Sequence, residues 1–284
     1  MYKANLHLLE ACPCRCRHCF SRFEDGRSLP FEDWVRVIKE LRAGGVTDIN
    51  LAGGEPLLYP HLSALTARIR EEGVRVSIIT NGLLLSEQWI RDMAPEFDAV
   101  GISVDTFRPE LARKMGRCLP DGTCMTSGRF RRLVDRIRLC SPETRIKLNT
   151  VVTRENWDDP SMRGVRGVDR RKIFRMKVFE TEGFSNRNLS VTDGQFASYV
   201  SGLVPGYRFH ACPEVFAADG GGEIVVEPVM DRSYLIIDPQ GNVIDNKGDA
   251  SHIAGNLLTD SLEDCARHIR ADLYKARYVG PDKP

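Results

Sequence analysis

Short apolar runs and amphipathic stretches alternate along the first three-quarters of the chain, and this alternation limits it to a few folds. Residues 48–51, 74–80, 100–104 and 146–152 are rich in Val, Ile and Leu and are bounded by Gly, Asn or Asp. Strands buried on both faces of a parallel sheet have this composition. Between them Trp34, Val37, Ile38 and Leu41 recur at i, i+3, i+4 and i+7, which predicts one apolar helical stripe, ended by Gly44-Gly45. Leu62, Leu65 and Ile69, then Trp89, Ile90 and Met93, predict the next two helices. A polar, basic run at 158–172 separates the fifth strand from a sixth at 173–179. Repeated β-α units with parallel strands form either a barrel or a doubly wound sheet.

The last quarter changes character. Residues 181–194 and Gly220-Gly221-Gly222 read as loops, 233–238 and 242–244 as a β-hairpin around Pro239-Gln240-Gly241, and 261–269 as a short closing helix. The 284 residues suffice for one large domain or two small ones. Forty Lys+Arg against thirty-nine Asp+Glu leave a net charge of +1, without the basic excess of a general nucleic-acid binder. No apolar stretch approaches the roughly 20 residues of a membrane helix. Met1-Tyr2-Lys3 leads straight into Asn5-Leu6-His7-Leu8-Leu9 with no apolar signal segment, so a cytoplasmic protein without membrane contact is expected.

Nine cysteines cannot all pair, and four of them (Cys12, Cys14, Cys16 and Cys19) fall within eight residues, just after the first predicted strand. Such a cluster in a large chain reads as reduced thiols gathering a metal rather than a disulfide framework. Cys12-x3-Cys16-x2-Cys19 can hold three irons of a [4Fe-4S] cluster and leave the fourth open, which makes a metal centre reactive. The alternative is a zinc site using all four sulfurs; zinc folds normally pair two separated knuckles instead. On the cluster reading Cys14 is a spare thiol. Cys118 and Cys124 have no further close cysteines and read as free thiols. Gly53-Gly54-Glu55-Pro56 closes the second strand, where glycines let the backbone approach a ligand closely. Thr80-Asn81-Gly82 and Ser103-Val104-Asp105-Thr106 end the third and fourth strands, at the edge where parallel βα folds put their chemistry. The Arg117 fork could grip a carboxylate.

The cysteine spacing on the loop after the first strand, with Gly53-Gly54-Glu55 after the second, resembles the radical S-adenosylmethionine (SAM) superfamily. That likeness implies a partial (β/α)6 barrel over residues 1–182, with a C-terminal extension over 183–284 that contains the hairpin and covers the active site. It implies a [4Fe-4S] cluster on Cys12, Cys16 and Cys19, whose unique iron chelates SAM and whose electron cleaves it to a 5′-deoxyadenosyl radical. Gly53, Gly54 and Glu55 would receive the amino group of SAM, with Asn81, Ser103 and Arg117 as further cofactor contacts. His18 stands where this superfamily usually has an aromatic residue.

More narrowly, the chain resembles the viperin family, prokaryotic members above all. The likeness rests on Asn5-Leu6-His7, Trp89, Ile102-Ser103-x-Asp105, Gly116-Arg117, Lys147-Leu148-Asn149, Arg154-x-Asn156, Arg175-Met176-Lys177-Val178-Phe179, Glu182-Gly183 and Ser233-Tyr234-Leu235-Ile236-x-Asp238. It implies conversion of a nucleoside triphosphate, CTP ahead of UTP or GTP, to its 3′-deoxy-3′,4′-didehydro analogue, an antiviral chain terminator. An electron donor to the cluster and a monomeric state are expected with it. Asn5 and His7 would contact the nucleotide, Lys247 a phosphate, and Tyr234 would give the final hydrogen or proton; His7 and Tyr234 read equally well as core residues.

Spacing adds its own argument. Lys147 and Asn149 are two apart on one strand, as are Arg175 and Lys177 on the next, so three cations and an amide are expected to converge on one space. Buried cations need a counter-charge, and a polyanion such as a triphosphate suits them. Departures from the family lie at Asp48, Ala52, the 117–124 segment and 216–228, which reads as an insertion; the chain end, Gly280-Pro281-Asp282-Lys283-Pro284, lacks the terminal Trp of animal members. Base preference therefore stays open. The rival readings are another radical SAM enzyme, such as a peptide-modifying maturase, and a non-catalytic zinc-binding module.

Overall fold

The computed structural model describes residues 3–21, 28–218 and 221–278. The expectations on Met1 and Tyr2, on Gly220 and on the chain end at 280–284 lie outside the described residues. Six strands, β1 (Lys3–His7), β2 (Asp48–Ala52), β3 (Arg75–Thr80), β4 (Ala99–Ser103), β5 (Arg145–Val152) and β6 (Arg170–Arg175), lie side by side in sequence order, all parallel. The helices α1 (Phe31–Ala43), α2 (Leu62–Glu71), α3 (Glu87–Met93), α4 (Pro109–Lys114) and α5 (Ser127–Cys140) follow the first four strands, and α6 (Asp193–Ser201) follows β6. Within α1, Glu32 and Asp33 sit in the first turn and Arg42 in the last, matching the helix dipole, while Gly45 at φ +82° ends it. Its stripe of Trp34, Val37, Ile38 and Leu41 is wholly buried, at about 1.5–3 kcal/mol of hydrophobic stabilisation per side chain.

That core lies between the helices and the outward-facing strand residues Ala4, Leu6, Ile49, Leu51, Val76, Ile78, Val100, Ile102, Ile146 and Leu148. The alternate residues are mostly polar or small and face a lumen. Lys3 on β1 meets the Lys147 side chain on β5, across three intervening strands, which only a curled sheet allows. The partial barrel is thus present, and the C-terminal segment widens it. β10 (Glu223–Glu227) pairs parallel with β6, and β11 (Leu235–Ile237) pairs parallel with β1 on the opposite edge. Antiparallel β9 (Glu214–Ala217) flanks β10, while β12 (Asn242–Asp245) and β13 (His252–Asn256) flank β11. Among the described residues no helix is long and apolar enough to cross a membrane.

Four local expectations are corrected. The sixth strand begins at Arg170 rather than residue 173, because Arg170 and Lys172 turn into the lumen and break the apolar run that marks a buried strand. The stretch at 216–228, read as an insertion with loop character, contributes the end of β9 and the whole of β10, the second edge of the lumen. Residues 181–194 are not all loop: Thr181 ends β7 (Glu180–Thr181), which pairs with β8 (Phe184–Ser185), and α6 begins at Asp193 under a Thr192–Gln195 capping box. The closing helix shrinks to α7 (Leu262–Cys265), capped by Ser261, and α8 (Ala271–Tyr278) follows it.

Candidate active site

The cysteine loop leaves β1 and is fastened on both sides by backbone hydrogen bonds. On one side Gly54 N donates to Leu9 O at 2.6 Å and Glu55 N to Ala11 O at 2.8 Å; on the other, Arg15 N donates to Gly116 O and Arg17 N to Met115 O, both at 3.0 Å. These fastenings need glycine. A Cβ on Gly54 would stand 2.2 Å from Glu10 O, and one on Gly116, at φ +74°, would stand 2.1 Å from Arg15 O. The Gly-Gly-Glu segment therefore first serves the close approach of the cysteine loop itself. Glu55, fully buried, accepts from Leu57 N at 3.2 Å and Asn81 N at 2.8 Å, which fixes the turn after β3.

Cys14 is not spare. Buried at the centre of the loop, its thiol hydrogen-bonds with both Cys12 and Cys16. This contact favours the thiolate at both neighbours and pushes Cys16 down to about 5 against its burial, with help from Arg117. Burial pushes Cys19 up to about 11. Arg117 lies beside Cys16 and Cys19, and its Nε donates to Asp105. Burial alone would raise the Asp105 carboxyl, but Arg117 and His18 outweigh it and hold the group well below the usual carboxylate range. Asp105 also accepts from Val151 N at 2.8 Å, and its Oδ2 lies 3.2 Å from His18 Nε2. Asp105 entered the sequence reading only as part of a strand-end motif and was given no role; its partners Arg117 and His18 are far apart in sequence.

Cys14, Asn81, Ser103, Asp105 and Arg117 line one small cleft, and beside it Asn81 Nδ2 is buried with no hydrogen-bond partner. Three further thiols, a guanidinium and an unpaired amide donor suit an iron–sulfur cluster with an amino-acid-bearing ligand. Cys12, Cys16 and Cys19 would hold the cluster, and Asn81, Ser103 and Arg117 would face the ligand.

Below this cleft lies the lumen. Asn5 donates to Leu235 O at 3.3 Å and accepts from Asn50 at 3.1 Å, tying β11, β1 and β2 together. His7 Nδ1 lies 3.0 Å from Ser21 Oγ, against the Phe20 ring. Burial first, and then the charges of Lys3, Arg170, Lys172 and Arg145, lower the Lys147 pKa well below the ordinary lysine value. Asn149, beside Lys172 in register, has its Oδ1 buried without a partner. Tyr234 packs with Phe20 and Phe174 and accepts from Lys172 Nζ at 2.9 Å. Lys172 was missed because it ended the polar, basic run set outside the strands.

The expected convergence of Arg175 and Lys177 with Lys147 does not occur. Arg175 is in register with outward-facing Val152, on the far side of the sheet; it ion-pairs with Asp193 at 2.7 Å, donates to Val191 O at 2.8 Å and covers the Phe209 ring. Because β6 ends at Arg175, the two-residue alternation no longer governs Lys177, which is held to Asp231 at 3.5 Å and to Gly248 O. Lys247, next to Gly248, is exposed.

Comparison with known proteins adds to this geometry. Residues 6–160 match the Radical SAM superfamily. An S-adenosylmethionine-dependent nucleotide dehydratase from Selenomonas ruminantium is 33% identical, over 98% of this chain and 99% of its own length. The S-adenosylmethionine-dependent nucleotide dehydratase RSAD2 of Danio rerio is 26% identical over 93% of this chain and 72% of its own. Among solved structures, Streptococcus suis SuiB bound to S-adenosylmethionine superposes with a TM-score of 0.66 at 16% identity, covering 96% of this chain and 67% of SuiB. That last likeness carries the fold alone.

Proposed function

The chain belongs to the radical SAM superfamily and is an enzyme of its SAM-dependent nucleotide dehydratase branch, and from that premise we propose that it dehydrates a nucleoside triphosphate, CTP before UTP or GTP, to the 3′-deoxy-3′,4′-didehydro product. One observation carries the choice of a triphosphate: Lys147, half-buried in the lumen wall, lies in the field of Lys3, Arg170, Lys172 and Arg145, and burial and these cations together disfavour its charge in the empty protein. Taking a charge out of water costs several kcal/mol unless a counter-charge meets it, so the lumen is built for a polyanion. Asn149 adds an unpaired carbonyl oxygen in the same wall, suited to a hydroxyl of the sugar or an amino group of the base.

When bound, the cluster supplies the electron that cleaves SAM, and SAM supplies the radical that takes a ribose hydrogen. The protein's own part is to hold these partners in order. Cys12, Cys16 and Cys19 would anchor the cluster, with the Cys14 thiol hydrogen-bonded to Cys12 and Cys16; Asp105 keeps Arg117 aimed along the cysteine loop. Tyr234, between Phe20 of that loop and Lys172 of the lumen, is the group best situated to pass a proton to the nucleotide. Lys177 and Lys247 remain outside this account of the lumen and would act on approach, by drawing in an anion. An external electron donor is needed.

The test is anaerobic turnover of reconstituted enzyme with SAM, a reductant and each nucleoside triphosphate. One nucleotide should stimulate 5′-deoxyadenosine formation and yield a product lighter by one water. Lys147→Met should weaken binding of that nucleotide by about a hundredfold, the loss of a charge-assisted contact of about 3 kcal/mol. Uncoupled SAM cleavage should persist in the variant. Stimulation by none of the nucleotides would refute the reading.

A further inference from the structure

One buried ion pair in the lumen has no part in the account above. β6 and β10 are parallel neighbours, with Lys172 opposite Val225 and Phe174 opposite Glu227, and both charged side chains turn inward. Lys172 Nζ pairs with the Glu227 carboxylate and donates to the Tyr234 phenol oxygen at 2.9 Å; the phenol in turn donates to Glu227. Glu227 is completely buried, and the Lys172 side chain is 12% exposed. The same ammonium is one of the charges closest to Lys147 and stands in register with Asn149, inside the site assigned to the triphosphate.

A carboxylate inside a phosphate site works against the ligand, since like charges in a low-dielectric space repel strongly. It has a use in the empty protein, where an ammonium at Lys172 needs an anion beside it. We propose that Lys172 is a phosphate-binding residue and that Glu227 is its internal counter-ion, holding the place of a phosphate oxygen until the nucleotide displaces it. The proposal deepens the nucleotide reading and rests on it. Binding then exchanges one ion pair for another: Lys172 leaves Glu227 for the phosphate chain, and the carboxylate keeps the Tyr234 hydroxyl as its hydrogen-bond donor. The exchange also sets a threshold on ligand charge. A single phosphate is satisfied at Lys147, whereas a triphosphate carries enough charge to reach Lys172 and compete there with Glu227.

Calorimetric titration of the reconstituted holoenzyme tests this, with inorganic triphosphate and inorganic phosphate as probes. Glu227→Gln removes the competitor while keeping the shape and the acceptor for Tyr234. It should bind triphosphate about tenfold more tightly than the parent while phosphate affinity, which rests on Lys147, changes little, so its preference for triphosphate over phosphate should rise. Lys172→Gln should bind triphosphate at least tenfold more weakly. Without ligand, Glu227→Gln should melt lower than the parent, and saturating triphosphate should raise its melting temperature by more. If Glu227→Gln does not fold, Glu227→Asp, with its shorter reach, should show a smaller gain of the same sign. Unchanged or weaker triphosphate binding in whichever of the two folds overturns the counter-ion role, even though the parent binds triphosphate well. Failure of the parent to bind triphosphate or any nucleotide would be a different result, because it would remove the nucleotide reading itself.

Discussion

His7 sits at the lumen end of β1 with its Nδ1 beside Ser21 Oγ, and burial pushes its pKa from 6.5 down to about 4. Between these two values the unfolded chain takes up a proton that the folded protein refuses. Stability is therefore whole above about pH 6.5 and falls as pH drops toward 4, by up to about 3 kcal/mol. Asp105 works in a lower window: its folded pKa is depressed, so its contribution is present above the unfolded value near 4 and is lost only as pH falls beneath it. Urea unfolding at pH 7.5 and at pH 5 separates the two. His7→Asn should lose less stability than the parent over that interval; equal losses would mean that another group is responsible.

At the scale of elements, the cysteine loop holds its shape through its neighbours rather than through regular structure of its own. Gly116 and Gly54 hold it from opposite sides, and each stands too close to a loop carbonyl to tolerate a side chain. Gly116→Ala should reduce the iron bound after reconstitution severalfold and destabilise the protein by about 2 kcal/mol or more. Gly164→Ala is the control, since a Cβ there meets nothing within 4 Å. Iron content and melting temperature of the two variants decide the matter, and parent-like iron binding in Gly116→Ala would count against the fastening. β1 to β5 were legible because each carries apolar residues at alternate positions, which pack under the helices. β6 and β10 were less so: Arg170, Arg171 and Lys172 in succession hide the alternation at the start of one, and Gly221-Gly222 with Glu223 introduce the other as though it were a turn.

For the whole molecule, the two halves of the chain share one sheet. β11 covers the edge of β1, and β10 covers the edge of β6, so residues beyond 182 complete the lumen on both sides. Lys172, Glu227 and Tyr234 bridge from β6 and β10 to the start of β11, elements on opposite flanks of the sheet. A chain ending at residue 182 would leave two parallel edges bare, and bare edges invite association with other chains. Such a fragment is expected to aggregate or to melt without a cooperative transition in calorimetry. A sharp transition from a soluble fragment would show that the first 182 residues stand alone.

What the sequence determined by itself is the chemistry of the cysteine loop and the parallel βα order, because thiol spacing and apolar runs are local properties of the chain. It also placed Asn81 and Ser103 at strand ends and singled out Arg117, and the structure brings the three to one cleft. Tertiary structure alone decided which cations face each other. The direction of Arg175 depends on which side of β6 the α6 layer covers, and the surroundings of Lys147 depend on how far the sheet curls. Curvature and covering layers arise from contacts between residues far apart in sequence, so no local spacing contains them.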